Sequence, residues 1–397
     1  PGARAPGGAL TGVVDVLLLL YVSAGGGHRS AALALEEEAS RRGLSVRAVD
    51  LLDFGDGLLR WAFRDLYVLL GERFKAGCGV LYRATDGRAR SRFLSSWAAG
   101  LLTRRLSSFR ELVSSLSPRL CLCTHFTPAS LMCEIRERGL WRGTVASVVT
   151  DYALHGFWFD PRVDLYFVPS EEVASDLLGL GVDPSRVFVT GIPISRRFTR
   201  RLEKGFARRV LGLEEKRTLL LVASSMRAER VRRILEALSM SGAELNVLLV
   251  WGRSRPSAAL EGLGLGGGVS LRAFGFVREM ELLYAASDLM ISKGGGLTVT
   301  EAMAMGLPML LTDCIPVQEE ANAEHLQRLG CALFLRSSPE EVAERALWLL
   351  FCGVEELERM RAICLERAKP FAASRALELA LELGGVSCAQ VGQGLGG

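Results

Sequence analysis

The chain has 397 residues, 49% of them hydrophobic and 23% charged, with a formal net charge of +4. That profile suits a soluble globular chain of two or more domains, and the charge is too small to argue for nucleic acid as a partner. The nine cysteines fall without CxxC spacing, and His28, His125, His155 and His325 form no metal-ligand pattern with them. No metal is expected, and free thiols in a reducing cytoplasm fit best.

In chain order, residues 1–11 read as a disordered Gly/Ala/Pro leader, and the opening at Pro1 rather than at a methionine leaves the true N-terminus open. The apolar run Val13 to Val22 is broken by Asp15 and is too short to span a bilayer, so it reads as a core strand. Gly25-Gly26-Gly27-His28 follows, then a helix over Arg29 to Arg42 stopped by Gly43, then a strand over Leu44 to Asp50. This βαβ unit opens a parallel α/β domain with a glycine loop at the carboxyl end of its first strand.

Residues 54–118 interrupt the alternation with helices rich in leucine, aromatics and arginine. Between Arg60 and Arg110 stand eleven basic against three acidic residues, more than the surplus of the whole chain. Phe93, Leu94, Trp97, Leu101, Leu102 and Leu106 recur at roughly helical spacing beside Arg90, Arg92, Arg104 and Arg105. Two readings stand: a basic amphipathic helix on an anionic membrane surface, or an ordinary helix packed on its own domain.

Alternation resumes with strands at 120–124, 144–150, 165–169 and 187–190, with Asp151 to Trp158 just past the second of these. A basic, irregular connection runs from Pro193 to about Lys216, and a second α/β domain follows with strands at 218–223, 245–251, 270–274, 289–292 and 309–312. The expected division is 12–195, with the insert at 54–118, and 196–383, with 384–397 a disordered tail. Lys293-Gly294-Gly295-Gly296 ends a strand, and Thr298 to Glu301 opens a helix. Such a turn is either a phosphate cradle built of backbone N–H groups, or a plain βα turn with Thr298 capping and Glu301 closing a capping box.

Ser23 to Ala31, Val149-Thr150-Asp151 with His155 and Trp158, Gly191-Ile192-Pro193, Gly275-Phe276-Val277, Lys293 to Thr298 with Glu301, and Pro316 to Asn322 occur in one order. Together they resemble the monogalactosyldiacylglycerol synthase and processive diacylglycerol glucosyltransferase group of glycosyltransferase family 28, related to MurG. The resemblance implies the GT-B fold, two doubly wound Rossmann-like domains facing across a cleft. It implies an inverting, metal-independent transfer of a hexose from UDP-glucose or UDP-galactose to a lipid hydroxyl, most simply diacylglycerol. No cofactor is implied beyond the donor, and the place is the cytoplasmic face of a membrane, held peripherally on anionic lipid.

By the same resemblance His28 is the catalytic base, and Asp151 orients a base or binds the acceptor. Gly27 and His155 belong to the donor site, the latter on a phosphate. Lys293, Gly295, Gly296, Leu297 and Thr298 form the donor-phosphate loop, and Val277 meets the base through its backbone. Glu301 takes the ribose hydroxyls, Gln318 and Glu319 the hexose, and Asn322 lies with them. Arg90, Arg92, Phe93, Trp97, Arg104 and Arg105 are the acceptor and membrane contacts.

The family's glycine-rich loop after the first strand of the second domain is replaced here by Ala223-Ser224-Ser225-Met226-Arg227-Ala228-Glu229. Close backbone approach to a phosphate is lost there. Gly294 and Gly156 stand where the family commonly has proline. The alternatives are a MurG-like transferase to a polyprenyl-linked acceptor, a nucleotide-sugar epimerase, and a nucleotide-sugar-binding protein without turnover.

Overall fold

Strands covered on both faces need continuous apolar runs rather than alternation, and Leu17, Leu18, Leu19 and Leu20 supply one, all buried. In the computed structural model, which describes residues 17–23, 26–57, 98–224, 226–252, 266, 268–315 and 317–385, such runs form two parallel sheets. The first comprises β1 (Leu17–Tyr21), β2 (Val46–Asp50), β3 (Leu120–Cys123), β4 (Thr144–Val148), β5 (Leu165–Val168) and β6 (Val187–Val189), in the order β2-β1-β3-β4-β5-β6. The second comprises β7 (Arg217–Val222), β8 (Leu245–Val250), β9 (Val269–Phe274), β10 (Leu289–Ser292), β11 (Met309–Leu311) and β12 (Ala332–Phe334), in the order β12-β11-β10-β7-β8-β9. With flanking helices these are the two Rossmann-like halves of a GT-B fold. β12, only three residues long, carries too little pattern to be read from sequence.

This topology fixes where a ligand can sit. In each sheet the strand order reverses once beside the first strand, at β1/β3 and at β7/β10. Loops diverge at such a reversal and leave a crevice at the carboxyl ends of the strands. The β1/β3 reversal carries His28 and His125; the β7/β10 reversal carries residues 223, 224, 226 and 227 and the glycine turn at 293–296.

The two halves share a core. Ala31, Tyr152, Ile192 and Ile194 pack in one cluster with Leu297, Val299 and Met303. The chain crosses between halves twice, and helix α1 (Gly26–Arg41) grips both crossings: Ser195 Oγ donates to Glu37 at 2.7 Å, and the adjacent Arg42 donates to Ser374 Oγ at 2.7 Å.

The C-terminal helix Ala372–Leu383 lays Ala373, Ala376, Leu377, Ala380 and Leu381 on Leu17, Leu19, Leu35, Leu120 and Leu122. The expected division at 195/196 groups this helix with the second sheet, whereas its apolar face is covered by the first. Sequence periodicity marks a helix as amphipathic but does not say which sheet buries it. Leu377→Ala should therefore destabilise the first half by about 3 kcal/mol, read as a lower urea midpoint.

Residues Arg90, Arg92, Phe93 and Trp97, and most of the expected insert, lie outside the described residues. Residues 98–105 are helical, with Ala99 and Leu102, and Leu106 just beyond, buried. Leu102 and Leu106 join the core of the first half, as the second of the two readings, a helix packed on its own domain, has it. Leu101, Arg104 and Arg105 are exposed. Among the described residues no helix is long and apolar enough to cross a membrane.

Candidate active site

Helix α1 begins at Gly26, so His28 sits in its first turn at the rim of the first sheet. Its half-buried ring is fixed by hydrogen bonds. Nδ1 lies 2.8 Å from the carbonyl oxygen of Thr124 and 3.0 Å from Thr150 Oγ1. A carbonyl oxygen only accepts, so Nδ1 carries the proton, Thr150 Oγ1 shares it, and Nε2 is left with its lone pair. Thr124 Oγ1 in turn donates to the His28 carbonyl at 2.8 Å. Burial pushes the His28 pKa below its ordinary value, against an opposing pull from Asp151 and the Thr124 carbonyl.

His125 stands edge-on to His28, with ring centroids 4.6 Å apart. It is buried, its Nδ1 accepts the Thr127 N–H at 3.1 Å, and its pKa is pushed well below the ordinary range by burial and by His28. His325 is buried too, stacked on Tyr152, with its pKa lowered. These rings are neutral in the fold but take protons in the unfolded chain at about pH 6.5. Their contribution to stability is complete above that pH and lost as the pH falls below it. The free energy of unfolding should drop between pH 7 and pH 5, by up to about 1.4 kcal/mol per pH unit for each ring that stays neutral, read as a lower urea midpoint.

Opposite His28, helix α8 (Gly296–Ala304) starts with Gly295 as its cap and no capping side chain. (The helices between are α2 Ser107–Leu116, α3 Phe126–Glu137, α4 Glu171–Gly179, α5 Lys204–Val210, α6 Ala228–Met240 and α7 Met280–Ala286.) The capping box of Thr298 and Glu301, one of the two readings of this turn, does not form, because the cap lies three residues earlier, at Gly295. Thr298 lies in the first turn. Glu301 accepts a hydrogen bond from Tyr284 Oη at 3.1 Å, and burial pushes its carboxyl up to about 7.

The two glycine turns face one another. A side chain at Gly27 would lie 3.5 Å from Leu297 Cδ2, and one at Gly296 would lie 2.2 Å from the Thr150 carbonyl oxygen. One at Gly294 would collide with the Glu319 carbonyl at 2.2 Å, so this turn needs glycine for packing whatever it binds. The Gly294 N–H donates to Cys314 Sγ at 3.2 Å. Those of the following residues stand at the head of the α8 dipole, where an anion is favoured.

The remaining expected site residues divide. Gln318 opens helix α9 (Gln318–Leu329), and its Nε2 donates to both oxygens of Asp151 at 2.9 Å. Asn322, one turn on, is buried completely and reaches Asp151, Tyr152 and Gly294. Glu319 Oε2 accepts the Ile315 N–H at 2.7 Å. His155 is buried and its Nδ1 accepts the Phe157 N–H at 3.1 Å, so the ring caps a short 3-10 turn and keeps its own N–H on Nε2. Val277 is half-buried beyond β9, and Lys293 half-buried at the start of the glycine turn.

After β7, Ala223 and Met226 are buried, while Arg227 precedes α6 without a side-chain capping bond. Arg230 pairs with Asp313 and donates to Thr312 Oγ1 at 3.0 Å, tying α6 to the end of β11. Thr124, His125 and Tyr284 were given no site role from sequence, and Thr150 was quoted only as part of the Val149-Thr150-Asp151 motif. Thr124 and His125 follow β3 at the first reversal and were findable there, and Thr150 follows the end of the neighbouring β4; Tyr284 carries no local signal. Among the described residues no three His, Cys, Asp or Glu groups cluster as a metal site would.

Residues 28–194 match the family model for monogalactosyldiacylglycerol (MGDG) synthase, and residues 222–370 that for the glycosyltransferase family 28 C-terminal domain. The chain is 28% identical over 349 residues to the processive diacylglycerol beta-glucosyltransferase of Bacillus pumilus, covering 87% of this chain and 89% of that protein. Identity and coverage are the same, 28%, 87% and 89%, for the Bacillus subtilis protein of that name. The crystal structure of Acinetobacter baumannii MurG superposes with a TM-score of 0.60 at 15% identity, over 93% of this chain and 99% of that one. The UDP-GlcNAc 2-epimerase of Neisseria meningitidis, bound to UDP-GlcNAc, gives 0.59 at 14%, over 92% and 99%. At such identities the structural likeness shows the fold alone.

Proposed function

The chain belongs to the monogalactosyldiacylglycerol synthase and diacylglycerol glucosyltransferase group of glycosyltransferase family 28 and is a hexosyltransferase, and from that premise we propose that it moves a hexose from a UDP-sugar to the free hydroxyl of diacylglycerol at a membrane surface, with inversion. The observation that carries this reading is the opposition of His28 and the first turn of α8 across one crevice.

In this reading the acceptor hydroxyl approaches His28 Nε2, which takes its proton as the new C–O bond forms. The bond from the anomeric carbon to the β-phosphate oxygen breaks on the opposite face, and UDP departs with the electron pair. One in-line displacement inverts the centre. The charge on the departing diphosphate is met by the N–H groups of Gly295, Gly296, Leu297 and Thr298 and by the helix dipole, with Lys293 beside them, and no metal is called for. Glu301 would hold the ribose, and Val277 the base through its backbone. Gln318 and Glu319 lie on the hexose side, and His155 and Gly27 border the phosphates. Arg104 and Arg105, exposed on a helix anchored in the first core, would meet anionic headgroups.

The test is UDP release from UDP-glucose and UDP-galactose, with and without diacylglycerol in anionic vesicles. Release that depends on diacylglycerol, from one donor over the other, is expected. UDP binding without release from either donor would sink the transferase reading in favour of a binding protein, with the 223–229 segment the first place to look.

A further inference from the structure

Asn322 was grouped with the donor-binding residues, but its surroundings argue for another task. It is buried completely, and both ends of its amide are engaged. Oδ1 accepts the N–H of Tyr152 at 2.7 Å, and Nδ2 donates to the Gly294 carbonyl at 2.9 Å and to Asp151 Oδ1 at 3.4 Å. A primary amide has two N–H donors, so none remains for a sugar hydroxyl.

Its partners come from both sides of the crevice. Gly294 begins the glycine turn of the second half. Asp151 and Tyr152 directly follow Thr150, whose hydroxyl lies 3.0 Å from His28 Nδ1 and whose carbonyl leaves no room for a side chain at Gly296. The neighbourhood reinforces the link: Gln318 holds both oxygens of Asp151, and Tyr152 Oη meets Thr300 Oγ1 on α8 at 3.0 Å.

We infer that Asn322 is a positioning residue that couples the glycine turn of the second half to the Thr150–Tyr152 segment behind His28. One buried amide then sets the distance between the base and the donors that receive the leaving group. Hydrogen bonds of this kind are costly to leave half-made: without Asn322, the Tyr152 N–H and the Gly294 carbonyl are stranded in a buried place. This inference rests on the reading of His28 as the base.

The variants are Asn322→Ala and the isosteric Asn322→Asp, which keeps an acceptor for Tyr152 but turns a carboxylate on Asp151 and Gly294. In both, kcat should fall by about 100-fold, as displacement of a base by about an ångström does. Affinity for the UDP-hexose donor, by calorimetry without acceptor, should stay within about threefold, since a positioning residue makes no donor contact. A second readout does not need turnover. In an imidazole NMR titration, with His28 assigned by its loss in His28→Gln, the His28 midpoint should rise toward the ordinary value as water enters. Asp151 and His125, the titratable groups facing His28, are retained in both variants.

Loss of UDP-hexose affinity with UDP affinity kept would overturn the inference in favour of direct contact with the sugar. Wild-type kcat together with an unmoved His28 midpoint in the folded Asn322→Asp variant would reduce Asn322 to packing. If the wild type transfers no sugar, the functional reading fails, while the His28 titration still decides the coupling.

Discussion

His28→Ala is expected to lower kcat by about 1,000-fold while UDP affinity stays near that of the wild type. A positioned general base contributes about 10² to 10⁴ in rate, and at His28 the positioning is explicit. The Thr124 carbonyl fixes the proton on Nδ1, so Nε2 is the basic nitrogen without any tautomer exchange. His125 cannot take over: it is buried, its Nδ1 already accepts a backbone N–H, and burial beside His28 depresses its pKa further.

The pH profile carries the same assignment. The base must be neutral to accept a proton, and burial lowers the His28 pKa. The acidic limb of kcat/KM should therefore lie below about pH 6.5, with the rate flat above it and falling about tenfold per unit beneath. An acidic limb above that value, or one that survives unchanged in His28→Ala, would give the base role to another group. Asp151, whose two oxygens accept from Gln318, is the carboxylate nearby to which such a result would point.

That the place of His28 in the fold was legible from sequence, and the hydrogen-bond partners of Asn322 were not, has a physical reason. A glycine turn after an apolar run, followed by a helix, is a local pattern, and local patterns place strand ends, helix starts and the residue between them. Eleven strands were recognisable in this way, because buried parallel strands are written as apolar runs. What joins two distant segments leaves no such mark. Nothing near Asn322 says that its amide closes on Tyr152, 170 residues earlier. Nothing in the Ala372–Leu383 helix says that its alanines cover the first sheet rather than the second. The capping-box reading of the glycine turn fails for the converse reason. Thr298 and Glu301 have the right spacing, but Gly295 caps the helix, and its first turn lies tight against Thr150.

That fit makes Gly296→Ala the second large effect expected. The added methyl would sit 2.2 Å from the Thr150 carbonyl oxygen, and that atom is backbone and cannot swing aside. Relief requires the two halves to part by about an ångström, roughly the shortfall from an ordinary carbon–oxygen contact. Parting them moves Thr150, whose hydroxyl shares the His28 proton, and separates the base from the α8 donors together. A displacement of that size costs about 100-fold in rate, and kcat should fall by at least that much. Parting leaves both sheets intact, so far-UV dichroism should be unchanged, while the midpoint of thermal unfolding falls because the core shared by the two halves is loosened. Gly179→Ala is the matched control: Gly179 ends α4, away from the crevice, and a side chain there meets nothing within 4 Å. It should leave kcat at the wild-type value. If Gly296→Ala turns over like the wild type, the closed contact of the two halves is not the catalytic arrangement, and His28 and the α8 donors meet across a differently closed crevice.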